Sequence, residues 1–168
     1  MDRARAADNA VRRLVRFLTE RSLFLAAAES CTSGLVADLL GGVNGASACF
    51  WGSFVCYTPQ AKVKMLGVGE EILARYGLVS GETARAMAAG ALEKSGADAA
   101  VSITGLAGPG GDGSPVPVGT VWIGTALRGG AVQAEQFHFK GRRNGVRHRA
   151  ALKALEQIMN QLPLLGKN

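Results

Sequence analysis

Histidine, cysteine and aromatic residues are all scarce in this 168-residue chain, and each scarcity removes a class of chemistry. There are only two histidines, His138 and His148, and three cysteines, Cys31, Cys49 and Cys56. None of them falls at the short paired spacings that hold a metal, so no metal and no cofactor is expected. An odd cysteine is left over in any disulfide scheme, which points to a reducing, cytoplasmic setting. Long apolar runs are missing as well. Residues 39–61 carry no charge, yet Asn44, Pro59, two serines and four glycines interrupt them too often for a membrane span. The charged N-terminus has no apolar stretch before residue 23, so no signal peptide and no membrane partner is expected. Internal repeats and low-complexity linkers are absent too, and residues 1–168 read as one domain.

What is present is a hydrophobic content of 48% with 23 glycines, the composition of a compact α/β protein rich in tight turns. The net charge of +6 sits at the ends: six basic against three acidic residues over 1–21, and seven against Glu156 alone from residue 140 onward. The middle is slightly acidic. Basic ends admit nucleic-acid contact, but they match no common DNA-binding motif, and a solvated helix face with a local anion site accounts for them. No nucleic-acid partner is expected.

Apolar spacing at Val11, Leu14, Val15 and Leu18 predicts a helix over 8–20. Residues 23–28 read as a buried strand, and 35–40 as a helix stopped at Gly41-Gly42 and capped by Thr32 or Ser33. A second strand is expected over 50–57. Thr58-Pro59 then opens a short helix through Lys62 to Leu66, and Ser80 caps a helix over 81–95 that closes at Gly96. Strands over 98–104, 118–127 and 131–139 follow, the last two a hairpin across Arg128-Gly129-Gly130, and a helix spans 144–162. This order predicts a three-layer α/β/α fold around a mixed, mostly parallel sheet with a C-terminal antiparallel hairpin. Sites in such sheets gather at the carboxyl ends of parallel strands, where Ser30, Tyr57 and Thr104 each fall.

The segment Glu29-Ser30-Cys31-Thr32-Ser33-Gly34 places hydroxyls and a thiol where a strand turns into a helix, a position that suits an oxyanion or a phosphate. Ser30 as nucleophile, Cys31 as a thiol nucleophile made acidic by the helix start, and simple helix capping all fit that stretch. A serine needs a base, and neither histidine follows a strand end facing Ser30. Lys62, one helical turn after Tyr57, is the better candidate if burial and neighbouring cations lower its pKa. The loop from Thr104 to Gly113 holds five glycines, yet it lacks the Gly-x-x-x-x-Gly-Lys-Ser/Thr pattern of a P-loop. Arg142, Arg143 and Arg147 open the last helix, where guanidinium forks suit a phosphate.

Together these stretches resemble the CinA C-terminal domain family, whose characterised members are nicotinamide mononucleotide (NMN) amidohydrolases. The resemblance rests on Ala28-Glu29-Ser30-Cys31-Thr32-Ser33-Gly34, Tyr57-Thr58-Pro59-Gln60-Ala61-Lys62, Gly77-Leu78-Val79-Ser80, the run Thr104 to Gly111, Pro117 to Trp122 and the arginines after Phe139. It implies hydrolysis of the NMN carboxamide to nicotinate mononucleotide and ammonia, with a nucleotide as small-molecule partner and a homo-oligomeric assembly. Ser30 would be the nucleophile and Lys62 the base, with Tyr57 and Thr104 lining the site. Cys31, Thr32, Gly105, Gly108, Gly110, Arg143 and Arg147 would bind substrate. Two positions depart from the family pattern: Ser33 stands where glycine is usual, and Arg142 where an acidic residue is usual. A non-catalytic nucleotide-binding or regulatory module tied to competence or DNA damage is the alternative.

Overall fold

The computed structural model describes residues 2–165, with side chains from Ala6 onward. Five strands form one sheet in the order β2-β1-β3-β4-β5: β1 Leu25–Glu29, β2 Phe50–Val55, β3 Ala99–Gly105, β4 Thr120–Leu127 and β5 Val132–His138. β1 pairs in parallel with β2 and β3, whereas β4 runs antiparallel to both β3 and β5. Six helices cover the two faces: α1 Asp2–Glu20, α2 Leu35–Gly41, α3 Pro59–Leu66, α4 Glu70–Tyr76, α5 Gly81–Ser95 and α6 Arg143–Gln161. The mixed α/β/α architecture is therefore the one expected.

Each layer follows from side-chain size. On one face Leu14, Leu18, Val36, Leu40, Val146 and Ile158 from α1, α2 and α6 close over Leu25, Val101, Ile103 and Ile123. Burying each of these side chains contributes roughly 1.5–3 kcal/mol. On the other face the strands present Ala26, Ala28 and Ala100, all fully buried, to Met87 and Ala91 of α5. Small residues on both sides let α5 approach the sheet closely. A Cβ on Gly124 would collide with the Ala84 carbonyl and the Ser102 hydroxyl, so β4 and α5 meet backbone to backbone there.

Caps fall where the side chains allow them. Thr58 accepts from the Ala61 amide at 3.1 Å with Pro59 opening α3, and Ser80 accepts from the Thr83 amide at 3.1 Å. Gly67 and Gly96 end α3 and α5 in left-handed conformations. Three expectations need correction. Neither Thr32 nor Ser33 caps α2; Gly34 holds the cap position, and the amides beyond it are taken from elsewhere. α1 begins earlier than residue 8, at Asp2. α4 has no counterpart in the sequence reading, because none of its side chains is fully buried and the half-buried pair Ile72 and Leu73 sets no apolar period. Its signal is electrostatic instead, with Glu70 and Glu71 in the first turn and Arg75 in the last.

Candidate active site

β1, β2 and β3 end on the same side of the sheet, and the residues just beyond them line a cavity of about 240 Å³. Ser30, Cys31, Tyr57, Lys62, Thr104 and Arg143 all reach it, together with the backbone of the loop from Gly105 to Gly110. Ser30 follows β1 directly, and its amide is bonded to the Ile103 carbonyl of β3 at 3.0 Å. The Ser30 turn is thereby tied to the centre of the sheet.

Lys62 comes from the first turn of α3 and is 1% exposed, buried as deeply as the core leucines. Its Nζ lies 2.9 Å from Ser30 Oγ and 2.9 Å from the Cys56 carbonyl oxygen. Burial holds the amine below its ordinary lysine pKa. No neighbouring cation is needed for that shift, contrary to the sequence-based expectation. A neutral amine there has two hydrogens and one lone pair. The Cys56 carbonyl takes one hydrogen, which leaves the lone pair free to accept from the Ser30 hydroxyl.

Cys31 behaves opposite to expectation. Its thiol is buried, and desolvation pushes its pKa up to about 11 despite the nearby charges of Lys62, Arg147 and Arg143. The supposed acidifying helix start is already occupied. Glu29, fully buried at the end of β1, accepts from the amides of Gly34 at 2.9 Å, Val36 at 3.1 Å and Ala37 at 3.1 Å, and from the Ser53 hydroxyl at 2.8 Å. The sequence reading gave Glu29 no role. A carboxylate closing a wholly apolar strand just before a helix was the available signal. With α2 capped in this way, the amides of Cys31 and Thr32 are the two in the turn that find no acceptor among the described residues. The Thr32 side chain is fully buried, its hydroxyl has no partner among the described residues, and it does not line the cavity.

The remaining candidates divide sharply. Tyr57 is 52% exposed, and its hydroxyl accepts from Arg143 Nη2 at 2.8 Å, while Arg143 Nη1 donates to the Gly108 carbonyl at 2.7 Å. Arg143, the first residue of α6, thus bridges the tyrosine to the glycine loop. Thr104 donates its hydroxyl proton to the Leu78 carbonyl at 2.6 Å. Gly110 borders the cavity with open space around it. Gly105 is required by packing, since a Cβ would meet the Thr120 carbonyl at 2.7 Å. Gly108 has a φ of +83°. Asp112, missed in the sequence, also lines the cavity, where hydrogen bonds from Ser114 keep its carboxyl below the usual range. Arg147 does not line the cavity; it donates to the carbonyls of Cys31 at 3.0 Å and Thr32 at 2.9 Å. His138 and His148 are exposed and do not line the cavity, as expected. Among the described residues no cluster of His, Cys, Asp or Glu could hold a metal.

The model of the CinA C-terminal domain family matches residues 7–162. The chain belongs to the CinA C-terminal domain family. It is 45% identical over 147 residues to a CinA-like protein of Akkermansia muciniphila, covering 88% of this chain and 36% of that protein. It is 43% identical over 155 residues to a CinA-like protein of Geobacter sulfurreducens, covering 92% and 37%. The chain therefore spans little more than a third of the length of these curated relatives. Two crystal structures match along nearly their whole length. The competence/damage inducible protein CihA of Agrobacterium tumefaciens is 41% identical with a TM-score of 0.88, covering 92% of this chain and 94% of that one. The competence damage-inducible protein A of Klebsiella pneumoniae is 31% identical with a TM-score of 0.90, covering 94% and 97%.

The two departures from the family pattern now have places in this domain. Ser33 has a φ of +52°, in the left-handed region where glycine is at ease, and a side chain there costs roughly 1–2 kcal/mol. Its side chain is exposed and outside the cavity lining, so it does not narrow the approach to Ser30. Arg142 is the exposed N-cap of α6, without a side-chain capping bond.

Proposed function

We propose that this domain hydrolyses the carboxamide of nicotinamide mononucleotide, releasing ammonia and nicotinate mononucleotide, with Ser30 as nucleophile and Lys62 as general base. The observation that carries this reading is the 2.9 Å contact between Lys62 Nζ and Ser30 Oγ in a buried setting that favours the neutral amine. Neutral Lys62 takes the Ser30 proton as Oγ attacks the carboxamide carbon. The oxyanion that develops falls to the unpaired amides of Cys31 and Thr32. Lys62 then returns the proton to the departing nitrogen, the C–N bond breaks, and ammonia leaves. Water attacks the resulting Ser30 ester with Lys62 again as base, which regenerates the hydroxyl and frees the carboxylic acid. Arg143, exposed at the start of α6 and beside the glycine loop, would meet the phosphate.

Ammonia release from NMN is the test. Ser30→Ala is expected to lose at least about 10³-fold in kcat. Cys31→Ala retains most of the activity, because a thiol with a pKa of about 11 is protonated at neutral pH. Activity unchanged in Ser30→Ala, or abolished only in Cys31→Ala, would overturn the mechanism. Tight NMN binding without ammonia release would favour the non-catalytic reading.

A further inference from the structure

We propose that Arg147 is a positioning residue that aligns the oxyanion donors of the Ser30 turn, rather than a ligand of the substrate phosphate. Two arginines lie one helical turn apart on α6, and their guanidinium groups point to different tasks. Arg143 reaches the cavity, where it holds Tyr57 and the Gly108 carbonyl. Arg147 stays outside the cavity lining and is half-buried behind the turn. Its Nε donates to the Cys31 carbonyl at 3.0 Å and its Nη2 to the Thr32 carbonyl at 2.9 Å, while Nη1 donates to Asn144 Oδ1 at 3.2 Å. All three nitrogens of the fork are engaged within the protein.

The Cys31 carbonyl and the Thr32 amide belong to one peptide plane. In a trans peptide they point in opposite directions. A guanidinium that fixes this carbonyl on the far side of the turn therefore fixes the Thr32 N–H on the other side. Its positive charge also draws electron density toward the carbonyl oxygen and makes the amide hydrogen a stronger donor. The Cys31 amide is held from a different direction, because the Ser30 carbonyl of its peptide accepts from the Ser33 amide at 3.1 Å. Beyond the turn, Glu29 takes the amides of Gly34, Val36 and Ala37. Cys31 and Thr32 are left as the two free donors, with Arg147 clamping their backbone from behind.

This inference rests on Ser30 acting as the nucleophile, and two readouts separate its failure from that of the substrate assignment. The first is steady-state hydrolysis of NMN and of nicotinamide riboside, which lacks the phosphate, by wild type and Arg147→Met. A positioning role predicts that kcat falls about 10²-fold on both substrates, as misplacing one oxyanion donor does. The ratio of their KM values should stay as in wild type, and added guanidinium should restore part of kcat in Arg147→Ala. A rise in KM confined to NMN, with kcat retained, would overturn the proposal in favour of phosphate binding. The second readout is the rate at which a fluorophosphonate labels Ser30, which needs the nucleophile and the oxyanion donors but no amide substrate. Labelling slowed to a similar degree in folded Arg147→Met supports the positioning role even if NMN proves not to be the substrate. Labelling at the wild-type rate, or no labelling of wild type at all, would overturn it.

Discussion

At the scale of single residues, the chemistry turns on how burial redistributes protons. Lys62 and Cys31 flank Ser30, and desolvation favours the neutral form of both, which suits the amine to accept a proton and keeps the thiol protonated. For the lysine this has two measurable consequences. In the proposed mechanism attack by Ser30 needs the neutral amine, so kcat/KM is expected to rise with pH along a limb lying below the ordinary lysine value of 10.5. Stability moves in the same direction. The unfolded chain binds the Lys62 proton more readily than the folded one, so folding grows more favourable as pH rises toward 10.5 and levels off above it. Lys62→Met removes this dependence. Its Tm relative to wild type is expected to be most favourable at low pH and to decline as pH approaches 10.5, while ammonia release is lost throughout. Parallel thermal melts across pH check this.

At the scale of elements, caps and short helices decide where the functional side chains stand. The Thr58-Pro59 start of α3 sets Lys62 one turn inside the helix, facing the strand ends. The start of α6 is less complete, because Arg142 provides no side-chain acceptor and sets a positive charge at the positive end of the helix. Arg142→Asp supplies both an acceptor and a favourable charge. It is expected to stabilise the domain by about 1 kcal/mol, seen as a rise in Tm of roughly 2–4 °C. A lower Tm would show that Arg142 makes a stabilising interaction of its own. α4 shows why a helix can be missed: it buries no side chain fully, and Ile72 and Leu73 alone mark no apolar period. Glu29 illustrates the converse. Its carboxylate serves a helix that begins six residues later, through a turn whose path the local sequence does not specify.

At the scale of the whole molecule, the site exists because three parallel strands end together and helices close tightly on both faces. That closeness depends on positions such as Gly124, where α5 rests on the backbone of β4. Gly124→Ala would force the two layers apart at a cost of about 1–3 kcal/mol. The expected result is a clear fall in Tm, and an unchanged melting curve would contradict the packing described. Among the described residues no helix is long and apolar enough to cross a membrane, which agrees with the interrupted uncharged stretch over 39–61.

The sequence by itself determined the local events: the strand–turn–helix at Ser30, the capped starts of α3 and α5, the hairpin of β4 and β5, and the dismissal of both histidines. These follow from side-chain shape, periodicity and glycine or proline stops, which act over a few residues. It also placed Ser30, Tyr57, Lys62 and Thr104 near strand ends, since strand order and site location are linked in α/β sheets. Only the tertiary structure decided what each group does there. It buried Lys62 against Ser30, raised the Cys31 thiol out of reach, gave the α2 amides to Glu29 and turned Arg147 toward the carbonyls of the turn. Desolvation and the direction of a hydrogen bond depend on neighbours up to 116 positions away in the chain, and that information comes into being only when the layers pack.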